Sequence, residues 1–379
     1  MRDHSQARPS RPLHLAINGR FLSRPPTGVG RVAEQLLRAL LLLRRAGWWD
    51  GTLTLLLPAG IDPKDPRLEY LGRLCRRVHG ARIARPGALA GLLWEQAELP
   101  FAARGRVLLS PCNLGPLLSK RQLLIIHDAQ IHALPWAYSR AFRLLYGLVQ
   151  PVVARRSEWV ATVSAHARSE LELHKVVPAQ KAWVIPNGAD HMGRIRADRS
   201  VLQRHGLKQK GFLLAIAGQA AHKNLGMLVE AAAARPVGGL PLVIAGGSGD
   251  SRVFVMDALP DGQGVHRLGR VSDGELKALY QGALALAFPS LTEGFGLPPL
   301  EAMACGTPVV CSTGGALPEV CADAALFADP RDPTAWTEAL QRIETDKALC
   351  RTLIARGKGR AAAFRWADSA KALLHLLAS

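Results

Sequence analysis

A pattern of short apolar runs, separated by helix-length segments, runs along this chain, stops once and then starts again. Leu13–Asn18, Leu53–Leu57, Val107–Ser110, Leu123–His127, Trp159–Val163 and Ala182–Ile185 read as buried strands, and Val32–Arg45 as a helix with apolar residues at helical spacing. That alternation is what a parallel sheet wrapped by helices requires. Pro186-Asn187-Gly188 breaks it with a sharp turn, and the polar stretch Ala189–Ser200 has no apolar period, which places an interdomain linker there. The pattern resumes with strands at Phe212–Ile216, Leu242–Ala245, Ala285–Phe288 and Pro308–Cys311, and helices at Leu225–Ala234, Asp273–Gln281 and Pro298–Ala304. A last helix is predicted over Phe364–Leu377, with Trp366, Ala370, Leu373, Leu374 and Leu377 along one side.

The fold class is therefore α/β, with two Rossmann-like parallel-sheet domains, residues 1–190 and 191–363, and a closing helix at 364–379. A length of 379 residues suits two such domains. Two open sheets facing one another make a cleft, and ligands of such sheets bind beyond the carboxyl ends of the strands. Chemistry is therefore sought in the loops that follow strands.

Charge narrows the partners. Residues 1–190 hold 27 Lys and Arg against 13 Asp and Glu, a balance of +14, while the remainder holds 21 against 17. A positive field over the first half attracts anions: nucleic acid, an acidic membrane or a phosphorylated substrate. An Arg-rich composition gives the same balance with no partner at all. The basic run Arg73, Arg76, Arg77, Arg82 and Arg85 has no nucleic-acid motif or aromatic platform beside it, so no nucleic-acid partner is expected. The six cysteines form no C-x-x-C pair, the N-terminal segment lacks a signal-peptide core, and no run reaches the ~18 apolar residues of a membrane span. A cytoplasmic chain with reduced thiols is expected. Gly28-Val29-Gly30-Arg31-Val32-Ala33 fits the dinucleotide fingerprint but does not follow its strand directly, as that motif must.

The strongest constellation is Glu293-Gly-Phe-Gly-Leu-Pro-Pro-Leu-Glu301, continued by Ala-Met-Ala-Cys-Gly-Thr-Pro-Val-Val310. Gly294 and Gly296 let the backbone pass close to a ligand. Pro298 and Pro299 suit the first turn of a helix, whose N-terminus is a natural phosphate seat. Glu301 is expected about one turn into that helix and Glu293 in the loop before it. Carboxylates are poor partners for phosphate and good acceptors from sugar hydroxyls. The pair thus suggests a ligand with hydroxyls at both ends and phosphate between, a nucleotide sugar. A blander reading has Glu301 complementing the helix dipole and Glu293 solvated.

The same residues resemble the signature of glycosyltransferase family 4, retaining enzymes of the GT-B fold. Further resemblances occur in order: Asn18-Gly19-Arg20 with Thr27-Gly28-Val29-Gly30, His127-Asp128, Val163-Ser164, Ile185-Pro186-Asn187-Gly188, His222-Lys223-Asn224-Leu225 and Gly269-Arg270-Val271-Ser272-Asp273. The resemblance implies that the closing helix returns to the first domain. It makes Lys223 the stabiliser of the donor diphosphate, Glu293 the acceptor from the donor sugar, and His127 a hydrogen-bonding partner near the reacting sugar. Glu301 is implied to hold the ribose, and Gly294, Phe295, Gly296 and Leu297 to line sugar and phosphates. Val271 meets the base through its backbone, and Gly28 and Gly30 approach the phosphates. Many members carry an Arg where this chain has Gln219, which leaves the second phosphate charge to His222 or to an Arg from elsewhere. No metal and no cofactor are expected. The implied activity is a hexosyltransferase of cell-surface polysaccharide synthesis, with GDP-mannose the first donor and dTDP-rhamnose or UDP-glucose the alternatives. The implied acceptor is a saccharide, free or linked to a polyprenyl diphosphate, and the basic first domain would then face an anionic membrane surface on the inner side of the plasma membrane. A catalytically silent GT-B scaffold is the remaining alternative.

Overall fold

Thirteen strands among the described residues fall into two sheets. The first contains β1 (Leu13–Asn18), β2 (Gly51–Leu57), β3 (Arg76–His79), β4 (Val107–Ser110), β5 (Gln122–Ile125), β6 (Trp159–Thr162) and β7 (Ala182–Val184), in the order 3-2-1-4-5-6-7. The second contains β8 (Leu213–Ala217), β9 (Leu242–Gly246), β10 (Val265–Gly269), β11 (Ala285–Phe288), β12 (Val309–Ser312) and β13 (Leu326–Ala328), in the order 10-9-8-11-12-13. This computed structural model describes residues 8–9, 11–23, 27–62, 64–72, 76–79, 88–218, 220–236, 238–246 and 264–379. Every strand pairing is parallel. Helices cover both faces of such sheets, which is why the strands read as unbroken apolar runs such as Leu55-Leu56-Leu57.

In both sheets the strand order reverses once, between β1 and β4 and between β8 and β11. A crevice opens outside the carboxyl ends of the strands at such a point. The loops after β8 and β11 are thereby set side by side, although 70 residues separate Lys223 from Glu293.

The helix Trp366–Ala378 leaves the second sheet and joins the first. Trp366, Ala370, Leu373, Leu374 and Leu377 lie in one core with Val32, Leu36 and Leu40 of the helix Gly28–Arg45. The chain therefore passes between the halves twice, and the two passages are bonded to each other. Ala189 N–H donates to the Phe364 carbonyl at 2.9 Å, Trp366 N–H to Asp190 Oδ1 at 2.8 Å, and Ser369 Oγ to the Pro186 carbonyl. A Cβ at Gly188 would stand 2.3 Å from the Trp366 nitrogen, so only glycine fits there.

The stretch predicted as a linker is packed rather than tethered. Ala189 and Met192 are buried in the second core, around a short 3-10 turn at Asp190–Gly193 that leaves no apolar period to read. The sequence reading also lacks β3, β10 and β13. β10 and β13 sit at the edges of the second sheet and are half-exposed, so they carry little apolar signal.

Candidate active site

Lys223 ends a 3-10 turn after β8, and the next residue, Asn224, has a left-handed backbone (φ 56°) held by its amide on the carbonyls of Pro289 and Pro330. This anchor aims the lysine at the loop after β11. Its ammonium bonds Glu293 Oε1 at 2.6 Å and stands 5.2 Å from the Phe288 ring centre. Burial pushes the Glu293 carboxyl up, but the Lys223 ammonium and its hydrogen bond outweigh it and hold the group below the usual carboxylate range. Glu293 is therefore a charged acceptor and not a stored proton. His222 adds no cation of its own, because burial beside Lys223 lowers it to about 4.

Glu301 lies about one turn into the helix Leu297–Ala304, and its carboxylate meets three elements. His191 Nε2 lies 3.0 Å from Oε1, Tyr280 Oη donates to Oε2 at 3.0 Å, and Arg31 Nη1 stands 3.6 Å from Oε1. Burial raises this carboxyl, while Arg31 and the His191 and Tyr280 hydrogen bonds bring it down to about 2. The His191 tautomer follows from its other side. Trp366 Nε1 reaches His191 Nδ1 at 3.1 Å, and an indole nitrogen only donates. Nδ1 is thus the acceptor, Nε2 carries the proton, and the ring hands a hydrogen bond from the closing helix to Glu301.

Arg31 comes from the first domain, one residue after Gly30. It bridges Glu301 and Asp273, the first residue of the helix after the Val271 loop. Neither Arg31 nor Tyr280 nor His191 carries a periodic or motif signal of its own. In the sequence Arg31 occupies only an unspecified position of the Gly28–Ala33 fingerprint.

The first domain closes over this loop. Ser164 Oγ donates to the Gly294 carbonyl at 2.7 Å, Gln130 Nε2 to the Thr292 carbonyl at 3.0 Å, and Glu319 accepts from the backbone N–H groups of Ala165 and His166, both at 2.9 Å. A Cβ at Gly294 would lie 2.2 Å from the His127 carbonyl oxygen. In this state the close approach that Gly294 permits is therefore to the other domain. His127 is buried, its Nε2 lies 2.8 Å from the Pro111 carbonyl, and burial lowers it to about 4. A carbonyl only accepts, so His127 is neutral with Nε2 protonated, and Nδ1 is left to accept from a hydroxyl. Burial, with Glu293 nearby, raises the adjacent Asp128 to about 6 against the pull of the Gln130 hydrogen bond and Lys223.

The remaining predicted residues divide. Phe295 is buried, Leu297 is half-buried between the two cores, and Gly296 caps the helix at φ 119°. Pro298 and Pro299 carry no N–H, so the donors at that helix end reduce to Gly296 and Leu297 ahead of Leu300. Gly28 and Gly30 open the helix Gly28–Arg45, where the Gly30 N–H is already bonded to Thr27 Oγ1 at 3.1 Å, while space beside Gly28 is open. Val271 is half-buried against the second core. Gln219 lies outside the described residues, as do Arg73, Arg82 and Arg85 of the basic run. Among the described residues, no three His, Cys, Asp or Glu side chains gather in a way that could hold a metal ion.

The site thus carries two cations, each already paired, and two carboxylates with hydroxyl-accepting capacity, Glu301 buried and Glu293 partly exposed, at the switch point of a parallel sheet facing a second one. The two-sheet fold that carries this site is shared by known proteins. Sucrose-phosphate synthase from Thermosynechococcus elongatus superposes with a TM-score of 0.70 at 21% identity, covering 97% of this chain and 98% of its own. Anabaena HepE, in complex with UDP and glucose, gives 0.71 at 16% identity over 97% and 100%. The fold is that of the GT-B glycosyltransferases. Residues 199–360 match the family described as glycosyl transferases group 1. The O-antigen chain mannosyltransferase B of Escherichia coli is 29% identical over 365 residues, 90% of this chain and 93% of its own. A second O-antigen chain mannosyltransferase, RfbU of Salmonella typhimurium, is 29% identical over 60% of this chain and 62% of its own.

Proposed function

We propose that this glycosyltransferase moves a hexose from a nucleotide sugar, GDP-mannose in the first instance, to a saccharide or lipid-linked saccharide in cell-surface polysaccharide synthesis. Transfer proceeds with retention of configuration and without a metal ion. The observation that carries the reading is the Lys223–Glu293 pair at the β8–β11 switch point. A diphosphate draws the ammonium away from Glu293, which frees the carboxylate to accept from the sugar hydroxyls, and His127 Nδ1 accepts from the other side. Glu301 holds the ribose, exchanging its contact with Arg31. Arg31 then stands beside the nucleotide as a second cation, the role that an uncharged Gln219 leaves open. In the chemical step the bond from the anomeric carbon to the diphosphate oxygen breaks and the acceptor oxygen bonds to the same face. The acceptor proton leaves with the diphosphate, since Glu293 is held ionised. Preorganised cations at such a leaving group contribute several kcal/mol of barrier lowering. The mannosyltransferase relatives support the choice of sugar.

The test is a thermal-shift screen against GDP, UDP, dTDP and ADP, followed by turnover with the preferred donor in EDTA and assignment of the product anomer by NMR. Bound ligand raises the melting temperature with the logarithm of its concentration over Kd. A shift with GDP and an axial product in EDTA support the reading. Stabilisation by no nucleotide points to a silent scaffold, and preference for dTDP or UDP replaces the donor.

A further inference from the structure

The helix Arg140–Arg156 presents an outer face that a solvated helix does not have. Its inward side is settled: Tyr146, Gln150, Val153 and Ala154 are buried. Its outward side carries Leu144, Leu148 and Val152, four residues apart and in one row, at 66%, 65% and 43% exposure. Ala141 is exposed on the same side, and no charged residue interrupts the row between Arg143 and Arg155. The outer face of a soluble helix is normally polar. This one is polar only at its ends.

The surroundings continue the pattern. Arg143 bonds the Pro135 carbonyl, which places the half-exposed Trp136 at one end of the helix. Arg156 bonds the Leu117 carbonyl, which places the exposed Leu118, followed by Lys120 and Arg121, at the other. The Arg155 guanidinium donates to the Lys175 carbonyl, and the Lys181 ammonium donates to the Arg155 carbonyl. The helix itself contains no acidic residue. The acids nearby are Glu158, just past its end, and Glu170 and Glu172 on the helix Ala165–Leu173, where Glu170 faces His174 and Glu172 bonds the Gln180 N–H.

We infer that this face docks on an anionic lipid bilayer, with the helix lying in the interface plane. The charge arrangement selects that occupant: an apolar row bounded at both ends by arginines matches acyl chains beneath anionic headgroups, and the flanking Trp136 suits the headgroup level. No helix among the described residues is long and apolar enough to cross a membrane. The inference deepens the acceptor side of the proposed function, and rests on that reading only for what the surface is for.

The experiment is co-sedimentation of the full chain with phosphatidylcholine vesicles, with and without phosphatidylglycerol, at low and high salt. The wild type is expected to bind the anionic vesicles, bind the neutral ones far less, and release as salt rises. The surface triple variant L144S/L148S/V152S is expected to lose about tenfold or more in vesicle affinity, and Arg140→Gln and Arg155→Gln about fivefold each at low salt. Melting temperature and nucleotide binding of all three should match the wild type, so a misfolded variant is recognised and a failed donor reading is seen separately. The inference is overturned if the wild type ignores anionic vesicles. It is also overturned if the triple variant binds them as well as the wild type, or if the row instead closes a dimer that the triple variant dissolves.

Discussion

Glu293 and Glu301 stand eight residues apart on one loop and helix, and both are carboxylates held below their usual range, yet they are held in opposite ways. Glu293 answers to one cation from its own domain, at the end of a flexible lysine. Glu301 answers to a tyrosine of its own domain, a histidine of the packed joining segment and an arginine of the first domain, and the histidine is itself set by the closing helix. The first is a charge that a ligand can release by capturing one ammonium. The second is a joint, whose geometry reports how the two halves sit. The same spacing in the sequence therefore serves a reacting end and a fixing end.

The largest expected effect tests the reacting end. Lys223→Ala should lower kcat/KM by about 10²- to 10³-fold through kcat, as loss of one preorganised charge does, measured by initial rates over donor concentrations from well below KM to saturation. A comparable fall through KM alone would move the lysine from transition-state to ground-state binding.

The fixing end should break more gently and in a different quantity. His191→Ala should raise the donor KM about tenfold with a smaller change in kcat, since one hydrogen bond to a charged group is removed. His191→Gln can accept from Trp366 and donate to Glu301, and should restore most of that affinity. If Gln fails as fully as Ala while the melting temperature holds, the handed-on hydrogen bond is not what positions Glu301.

A third difference is visible in pH. Asp128, between His127 and the Glu293 pair, titrates at about 6 in the folded chain against an ordinary value of 3.8. A raised carboxyl means that its stabilising contribution is complete below about pH 4 and is lost as pH rises through 6. An anionic diphosphate nearby favours the protonated form further. Nucleotide affinity should therefore fall by a few-fold from pH 5 to 7, with proton uptake seen in calorimetry across buffers, and Asp128→Asn should flatten that slope. Glu301, at about 2, should contribute no such slope in this range.

The smallest effect concerns the first-domain edge. Gly28→Ala should leave stability unchanged or raise it by about 0.5 kcal/mol, because the added methyl meets nothing and the unfolded chain loses freedom. If nucleotide affinity falls several-fold at unchanged melting temperature, Gly28 faces the ligand.

Most of the scaffold was legible because buried parallel strands write themselves as apolar runs, and the Glu293–Val310 segment because its glycines and prolines sit at spacings that few other structures need. What was not legible has a common cause. Arg31 and Glu301 are 270 positions apart, His191 sits in a stretch with no period, and Tyr280 looks like any aromatic on an amphipathic helix. Their convergence is set by two sheets docking, which no local pattern records. The Leu144–Leu148–Val152 row was missed for the opposite reason: its apolar residues at helical spacing are what a buried helix face also shows, and only the packing reveals which side faces out.

The returning helix has a consequence for how the molecule is made. The first core receives Trp366, Ala370, Leu373, Leu374, Leu376 and Leu377 from the segment translated after both sheets. Domains usually finish folding in the order in which they leave the ribosome. Here the earlier half must wait, with an apolar groove beside the helix Gly28–Arg45 unfilled, until the later half has been synthesised and has released its final helix. A pause or a premature stop anywhere after the second sheet would leave that groove open to chaperones, and Glu301 without the indole that sets its histidine.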